Sequence, residues 1–240
     1  GTEIINTSGI AEFKYTERGT NFYTVYVYAY SKTQDYINTF QQIKITVTRP
    51  PFNKLVFSDE FNTNGSPDNT KWGYNIGTGS NGWGNGEKQY YTDRPENVIV
   101  EGGLLKIIAK KENYEGSAYT STRMLTQGKF DFTYGRVEVK AKLPFGEGTW
   151  PAIWMLGSNI RTASWPACGE IDIMEHWGHN QGVVQSAMHT PSSNGNTINH
   201  GAQTINDVST AFHVYTVEWD DQQIVFAVDG KNHYTYKPAS

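Results

Sequence analysis

Alternation of apolar and polar residues is the main pattern along this chain. It is clearest at residues 22–30, 43–48 and 224–228, the last running into the turn Asp229-Gly230. A period of two residues is typical of half-buried β-strands, in which successive side chains point to opposite faces. No long segment shows the 3.6-residue period of an amphipathic helix. Many short strands separated by glycine turns predict an all-β sandwich or barrel.

Two consecutive prolines, Pro50 and Pro51, interrupt this pattern early in the chain. Proline lacks an N–H donor and restricts the residue before it, so a strand ladder stops there. We therefore predict a domain boundary at this point. Residues 1–50 would form a partial β module, and residues 51–240 would form the main domain.

Composition narrows the class of protein. With 37% hydrophobic and 18% charged residues, the chain can build a sizeable core and is not a disordered one. Its 15 tyrosines and 7 tryptophans exceed what a core needs, so some rings should face a ligand. The 20 basic residues are scattered and the net charge is −4, which argues against a nucleic-acid partner.

The sequence shows neither a membrane-spanning run nor a set of cysteines for disulfide or zinc chemistry. There is no apolar run of 18 residues and no charged-then-apolar leader, so we expect no membrane partner. A single cysteine, Cys168, leaves no pair for an internal disulfide and no framework for zinc. Cysteine usage therefore leaves the redox compartment undetermined.

Chemistry concentrates in the segment GEIDIMEHWG, which combines apolar residues with three acids. In a regular strand Glu170 and Asp172 share one face, whereas Glu175 would point to the other. A β-bulge adds one residue to a strand, and bulges are common beside active sites because they re-aim side chains. If Ile173 or Met174 is the extra residue, all three carboxyl groups line one face.

The bulged strand also predicts a reaction type. Glu170 and Glu175 would be separated by about four strand steps, roughly 13 Å at the backbone, so inward-leaning side chains could bring their carboxyls to about 5 Å. Retaining glycosidases hold two carboxyls about 5–5.5 Å apart, whereas inverting enzymes need about 6.5–9.5 Å. The spacing therefore favours a retaining glycosidase.

Three carboxylates on one strand face repel each other, so at least one should carry a proton near neutral pH. We assign that proton to Glu175 as a general acid, with Asp172 hydrogen-bonded to the nucleophile and coupled to the protons of the cluster. Spacing alone does not decide which glutamate attacks. The alternative is an exposed acidic face or a calcium site, because carboxylates also bind hard cations.

Four longer motifs then give a resemblance: NGWGNGEKQYYT, YGRVEVKAKLP, GTWPAIWMLG and WPACGEIDIMEHWG. From about Phe52 onward the chain resembles glycoside hydrolase family 16, and within it the laminarinases, which are endo-β-1,3-glucanases. The resemblance implies a curved antiparallel β-sandwich, a jelly roll of the concanavalin-like kind, with the glucan lying across its concave face. It implies β-glucan as the partner, a monomer, and no cofactor for catalysis.

Position by position, the resemblance implies Glu170 as nucleophile, Asp172 as its helper and Glu175 as acid/base. The lichenases of the family typically have ExDxE, so the extra Met174 favours the bulged group. That group also contains agarases and carrageenases, but the WPAIWML and WPACGE stretches resemble laminarinases. Further alternatives are a transglycosylase with the same residues, a mixed-linkage glucanase, and a non-catalytic carbohydrate-binding sandwich.

Sugar contacts are implied by the same resemblance. A pyranose lays its C–H faces on aromatic rings, and its hydroxyls bind Arg or His side chains. Each tryptophan taken singly could equally pack in the core. Trp150 and Trp154 have equal strand parity and should share a face unless a bulge occurs at Pro151. The residues expected to contact sugar are Arg123, Trp150, Trp154, Trp165 and His189, with Trp83 at the cleft edge.

Three further expectations follow from the resemblance. Many family members bind a structural calcium ion, and Glu60 and Gly103 match two of its ligands. The third would be an aspartate near the domain's C-terminus, but the chain stops at Ser240, so we expect a catalytic domain truncated before its closing strands. The first fifty residues resemble the tail of a PKD-like, immunoglobulin-type module, which implies a secreted or cell-surface protein.

Overall fold

The computed structural model describes residue 52 and residues 54–238. The predicted PKD-like, immunoglobulin-type piece at residues 1–50 lies outside the described residues. Apart from Phe52, the described residues belong to one compact unit, Lys54–Ser240. Among them, no helix is long and apolar enough to span a bilayer.

Short strands account for most of the regular structure. The described residues form fifteen strands and one single-turn α-helix, α1 (Ile160–Ala163). The strands are β1 (Gly73–Asn75), β2 (Gln89–Tyr91), β3 (Val98–Glu101), β4 (Leu104–Ile107), β5 (Lys110–Tyr114), β6 (Ser117–Ser121), β7 (Arg123–Leu125), β8 (Gly135–Ala141), β9 (Ala152–Leu156), β10 (Glu170–Glu175), β11 (Val183–His189), β12 (His200–Thr204), β13 (His213–Trp219), β14 (Ile224–Val228) and β15 (Lys231–Tyr236).

Two four-stranded antiparallel sheets form the body of the unit. Their strand orders are β12-β11-β10-β9 and β15-β14-β13-β8. Smaller groups accompany them: β2-β6-β5, the hairpin β3-β4, and the pair β1-β7. The predicted all-β sandwich is confirmed. Both large sheets are antiparallel as expected, and the one parallel pair among the named strands of the described residues is β2 with β6.

The core lies between the two large sheets. Ile173, Met174 and Val184 from β10 and β11 belong to the same buried cluster as Tyr215 and Phe226 from β13 and β14. Burial of these apolar side chains is the main force holding the sheets together. The opposite face of β10 is therefore left for other residues, and its acidic side chains lie there.

The predicted turn after β14 has the expected geometry. Asp229 and Gly230 have φ values of 50° and 74°. Both central residues of a type I′ hairpin turn need positive φ, which the Asp-Gly pair accommodates. The turn pairs Val228 with Lys231, the register then shifts between Ala227 and Phe226, and Ile224, Phe226 and Val228 all belong to the core.

Candidate active site

A β-bulge interrupts β10 where the acidic motif required one. On β9, Trp154 lies opposite Asp172 and Ile153 lies opposite Met174, so Ile173 has no partner of its own. The register against β11 shifts within the same part of the strand. The predicted bulge is confirmed, and Ile173 is the extra residue relative to β9.

The bulge turns two consecutive side chains toward the core. Ile173 is 2% exposed and Met174 is 1% exposed, and both belong to the apolar core. In a regular strand one of them would point outward. Because the alternation is broken here, Glu175 returns to the face that carries Glu170 and Asp172, where both glutamates experience the charge of Asp172.

His189 completes an acid–base cluster on this face. It lies opposite Glu170 on β11, and its Nε2 is 3.0 Å from Oδ2 of Asp172, which is only 3% exposed. The hydrogen bond to Asp172 raises the pKa of His189, which favours the imidazolium form. One potential metal-ligand atom from each of Glu170, Asp172 and His189 lies within 4.8 Å of the other two. A hard cation such as Ca²⁺ takes six to eight oxygen ligands, so we interpret this trio as an acid–base cluster.

Glu170 is difficult to ionise in this setting. Burial, and then the charge of Asp172, raise the pKa of Glu170 to about 7. The positive charge of His189 and a hydrogen bond from the Trp165 indole act in the opposite direction. The carboxylate form of Glu170 is therefore stabilised by His189 and Trp165.

Glu175 is perturbed in a similar way. Burial, followed by the charge of Asp172, raises the pKa of Glu175 to about 7. Trp150 donates from Nε1 to Oε1 of Glu175 at 3.0 Å, which lowers the pKa in part. Asp172 thus raises the pKa of both glutamates, and each keeps its proton to about neutral pH. The expectation of a proton retained near neutral pH agrees with these shifts.

Aromatic rings and one guanidinium flank the cluster. The guanidinium of Arg123 lies between two indoles, 4.5 Å from the ring centre of Trp83 and 4.7 Å from that of Trp154. Such cation–π contacts fix the orientation of the side chains involved. Trp154 is the β9 residue opposite Asp172, so this stack adjoins the carboxylates.

Two more tryptophans are partly open to solvent. Trp150 is 43% exposed and stacks on Trp177 at 6.1 Å, and Trp165 is 44% exposed with its ring 6.0 Å from that of His189. Rings that are half-exposed beside carboxylates are suited to contact a sugar. The structure thus brings the six predicted sugar-contact residues around the three acids. Trp154 lies opposite Asp172 on β9, and Trp150, in the segment before β9, donates to Glu175, so both rings adjoin the acids as predicted.

The sequence analysis missed a polar cluster beside Trp83. Glu87 accepts hydrogen bonds from Gln89 Nε2 at 2.6 Å, Tyr91 Oη at 2.7 Å and Asn85 Nδ2 at 3.2 Å. The Tyr91 ring is 6.0 Å from that of Trp83. The even spacing of Glu87, Gln89 and Tyr91 in the motif GNGEKQYYT was the signal that could have placed them on one face.

His176, which had no predicted role, is a structural residue. It is completely buried, and its Nε2 lies 3.0 Å from the backbone oxygen of Gln181. This contact ties the end of β10 to the connection that leads into β11.

The predicted calcium ligands lie away from the carboxylate cluster. Glu60 lines a cavity of about 500 Å³ together with residues that include Asp59 and Lys71, but Gly103 does not line it. Asp59 is already engaged by the Trp72 indole at 2.8 Å, whereas Glu60 has no hydrogen-bond partner among the described residues. Glu60 is exposed, and Gly103 does not line the cavity that Glu60 lines, so this cavity does not bring the two predicted ligands together.

Fold and site together define a carbohydrate-active β-sandwich, in which paired glutamates and an aspartate lie among solvent-facing tryptophans. Comparison with known proteins gives the family. The chain belongs to the family described as glycosyl hydrolases family 16, whose model matches residues 85–240. The jelly-roll expectation agrees with this membership.

Relatives are similar over most of this chain. A protein of Rhodothermus marinus named "Beta-glucanase" is 48% identical over 193 residues, covering 78% of this chain and 67% of the relative. "Glucan endo-1,3-beta-glucosidase A1" of Niallia circulans is 38% identical over 75% of this chain, which spans only 29% of that protein. The solved laminarinase of Rhodothermus marinus superposes with a TM-score of 0.74 at 48% identity, over 77% of this chain and 74% of the other.

Proposed function

We propose that this chain hydrolyses internal linkages of a β-1,3-glucan of the laminarin type, with retention of anomeric configuration. The observation that carries the proposal is the bulge in β10, which places Glu170 and Glu175 on one face with Asp172 between them. Family membership and the names of the relatives, which include a glucan endo-1,3-β-glucosidase, support the substrate class.

The reaction takes two displacements at one anomeric carbon. In the first, the Glu170 carboxylate attacks that carbon while Glu175 gives its proton to the departing glycosidic oxygen, leaving a covalent glycosyl ester. In the second, the Glu175 carboxylate takes a proton from water, whose oxygen attacks the same carbon and releases Glu170. One water is consumed per bond cut, and both glutamates return to their starting forms.

Groups around each glutamate suit these roles. Trp165 and His189 stabilise the ionised form of Glu170, as a nucleophile needs. Burial keeps Glu175 protonated to about neutral pH, as a general acid needs. Asp172 is ion-paired with His189, and its negative charge helps to keep a proton on the pair Glu170 and Glu175.

Sugar binding in this proposal uses the rings that flank the acids. Trp150 and Trp165 offer exposed faces on either side, because Trp150 donates to Glu175 and Trp165 to Glu170. Arg123, held between Trp83 and Trp154, presents N–H donors to sugar hydroxyls. His189 can contact the same sugar that Glu170 attacks.

Rescue by azide tests the roles of the two glutamates separately. Glu170→Ala opens space for azide on the face used by the nucleophile, so an activated β-laminaribioside should give the α-glycosyl azide. Glu175→Ala should still form the covalent ester and release the β-glycosyl azide. Glu112→Ala, on β5, serves as a control that should need no azide. The same anomer from both variants, or wild-type turnover without azide, would contradict the assignment.

Substrate choice is tested by digesting laminarin, lichenan, agarose and carrageenan side by side and separating the products by length. We expect laminarin to yield a ladder of short oligosaccharides from the earliest times, as internal cleavage requires. Cleavage of agarose alone would contradict the proposed substrate. Binding of laminarin without new reducing ends would instead indicate a non-catalytic sandwich.

A structural calcium ion is the second part of the proposal. Glu60 would be one ligand of this ion, the Gly103 carbonyl is the second that the family resemblance implies, and the ion would stabilise the fold without entering the reaction. Calcium should raise the melting temperature of the wild type, and Glu60→Gln should abolish that increase while leaving the chelator-treated value unchanged. If calcium raised the melting temperature of both proteins equally, Glu60 would not be a ligand of the ion.

Location and assembly complete the proposal. A polymeric glucan does not cross a bilayer, so the protein would act outside the cell or at its surface, and it would do so as a monomer. Fractionation of producing cells tests the location, and light scattering after size-exclusion chromatography tests the mass against 27.0 kDa. Activity confined to the cell interior, or a mass twice that of the chain, would contradict these points.

A further inference from the structure

Trp150 reaches Glu175 from a segment without regular structure. The Trp150 loop, residues 144–151, connects the end of β8 to β9. Its indole Nε1 donates to Oε1 of Glu175 at 3.0 Å, although the ring itself is 43% exposed. An exposed side chain on an irregular loop keeps one position only if the loop itself is fixed.

One side chain makes two of the contacts that fix this loop, and a third to Ser209, which also contacts it. Gln181, which follows β10, accepts from the Gly146 N–H at Oε1 with a distance of 3.3 Å. Its Nε2 donates to Ser209 Oγ at 2.6 Å and to the Pro144 carbonyl at 3.4 Å. Ser209 in turn donates to the same carbonyl at 3.1 Å. The Gln181 amide thus bridges the start of the Trp150 loop and the segment before β13.

Gln181 is itself anchored to the catalytic strand. Its backbone oxygen lies 3.0 Å from Nε2 of the buried His176, the residue directly after Glu175. A displacement of Gln181 would therefore disturb both the end of β10 and the start of the Trp150 loop.

Backbone contacts join the same two segments. Gly178 N–H donates to the Thr149 carbonyl at 2.9 Å, and His176 N–H donates to the Pro151 carbonyl at 3.2 Å. A Cβ at position 178 would lie 1.7 Å from the Gly146 carbonyl oxygen, so only glycine allows this approach. With Trp177 stacked on Trp150, residues 176–181 and the Trp150 loop form one packed unit beside Glu175.

We propose that Gln181 is a positioning residue for Glu175, because it fixes the Trp150 loop and so keeps the Trp150 indole on the carboxyl group. Gln181 does not touch the reacting atoms. The proposal rests on the proposed function, in which Glu175 is the acid/base. It assigns to Gln181 a task that neither the acidic motif nor the aromatic residues indicated.

The groups around Glu175 determine how its pKa should change when the Trp150 loop is loosened. Asp172 on its own strand and His189 on β11 are the charged groups that act on it, and the hydrogen bond comes from Trp150. The neighbouring strand β9 has the sequence AIWML and so brings no titratable side chain. Since the Trp150 hydrogen bond lowers the pKa of Glu175, loosening the loop should raise it.

Gln181→Met tests the proposal because methionine keeps the length of the side chain but makes no comparable hydrogen bonds. The alkaline limb of kcat/KM on laminarin reports the loss of the acid's proton. We expect this limb to move to higher pH by about half to one unit, as loss of one hydrogen bond allows. Trp150→Phe should shift the limb in the same direction, and adding Gln181→Met to it should shift the limb no further.

A second measurement needs no substrate. The chain has seven tryptophans, so ¹⁵N-labelled protein should give seven indole N–H signals, and Trp150→Phe identifies one of them. In the wild type that signal should titrate with the Glu175 carboxyl. In Gln181→Met it should titrate with a smaller amplitude and a higher midpoint.

Thr120→Val is the matched control for stability. It removes two hydrogen bonds of the buried Thr120 hydroxyl on β6, to Glu112 and from Asn97, far along the chain from residues 144–181. It should lower the melting temperature without moving the alkaline limb. If Gln181→Met behaves in the same way, with an unshifted limb and an unchanged indole titration, the proposal is overturned.

The outcomes separate this inference from the proposed function. Absence of laminarin hydrolysis by the wild type would refute the function, while the indole titration would still test Gln181. If Gln181→Met fails to fold, Ser209→Ala replaces it, since this variant removes only one anchor of the Gln181 amide. It should give a smaller shift in the same direction, and no shift in either measurement would overturn the proposal.

Discussion

Glu175 must be ionised in part of the catalytic cycle, yet burial makes its charge costly to the folded protein. Its pKa rises from 4.5 to about 7 on folding. Between these values the folded state binds more protons than the unfolded state, so stability falls as pH rises through this window. Below it the carboxyl is neutral in both states and the penalty vanishes.

Glu175→Gln should therefore stabilise the protein at pH 8 and leave it nearly unchanged at pH 4. We expect a gain of about 1–3 kcal/mol in the free energy of unfolding at the higher pH, since one pKa unit corresponds to about 1.36 kcal/mol. The glutamine oxygen can still accept from Trp150. Urea unfolding at both values of pH is the measurement, and an equal effect at both would contradict the explanation.

Glu112 provides a matched control with the opposite sign. Its pKa is lowered by hydrogen bonds from Thr120 and Arg94, so its ionised form stabilises the fold above the unfolded-state pKa. Glu112→Gln should consequently lose stability at pH 8 rather than gain it. The two variants remove one negative charge each, which excludes net charge as the cause of a difference between them.

Asp172 sets where Glu170 ionises. After burial, the charge of Asp172 is the largest influence that raises the pKa of Glu170. Asp172→Asn should therefore let Glu170 ionise at lower pH and move the acid limb of kcat/KM to lower pH by about half to one unit. The pH profile on laminarin checks this. A displacement to higher pH would show that loss of the positive charge on His189, which Asp172 stabilises, matters more for Glu170 than loss of the Asp172 charge.

At the scale of the element, the bulge decides where four consecutive side chains point. Ile173 and Met174 both pack in the core, which a regular strand would not permit. Ile173→Ala and Met174→Ala should each cost about 2–4 kcal/mol of unfolding free energy, as large-to-small core substitutions do. Urea unfolding measures both. If one substitution had the full cost and the other almost none, β10 would be a regular strand. Glu175 would then point to the face opposite Glu170 and Asp172.

Sequence reasoning reached this element because three acids at an odd offset are incompatible with a regular active-site strand. It did not decide between Ile173 and Met174, since both are apolar and both fit the core. The alternation in β14 was equally readable, because that strand is long enough to show a period. Strand β2, with three residues, is too short for that, and its parallel partner β6 lies thirty positions away. For the Glu87 cluster, the even spacing of Glu87, Gln89 and Tyr91 was therefore the only signal, and the strand itself showed no period.

At the scale of the molecule, the sequence predicted the sandwich but not which strands share a sheet. Order within a sheet depends on contacts between distant segments, such as β8 with β13, and alternation within either strand contains no information about its partner. The contacts of the Trp150 loop with Gln181 and Ser209 belong to the same class. These contacts depend on how three separate chain segments pack together, so the hydrophobic periodicity within each segment does not predict them.

The domain boundary predicted at Pro50-Pro51 leads to a prediction for the whole chain. Every predicted site residue between Trp83 and His189 lies in the compact unit Lys54–Ser240, as do the described core residues from Val98 to Val228. A chain of residues 51–240 also retains Phe57, which stacks on Phe130 at 4.7 Å. Such a chain should fold cooperatively and cleave soluble laminarin within about twofold of the full-length rate, because neither its core nor its acids are removed.

Circular dichroism on heating and kcat/KM on short laminarin oligosaccharides test this directly. The pH limbs of the shortened chain should coincide with those of the full chain, since the groups that set the pKa values of Glu170 and Glu175 all lie between residues 150 and 189. A cooperative but inactive chain would mean that residues 1–50 contribute to catalysis. Loss of cooperative unfolding would move the boundary toward the N-terminus, and the two proline residues would then be a turn inside one domain.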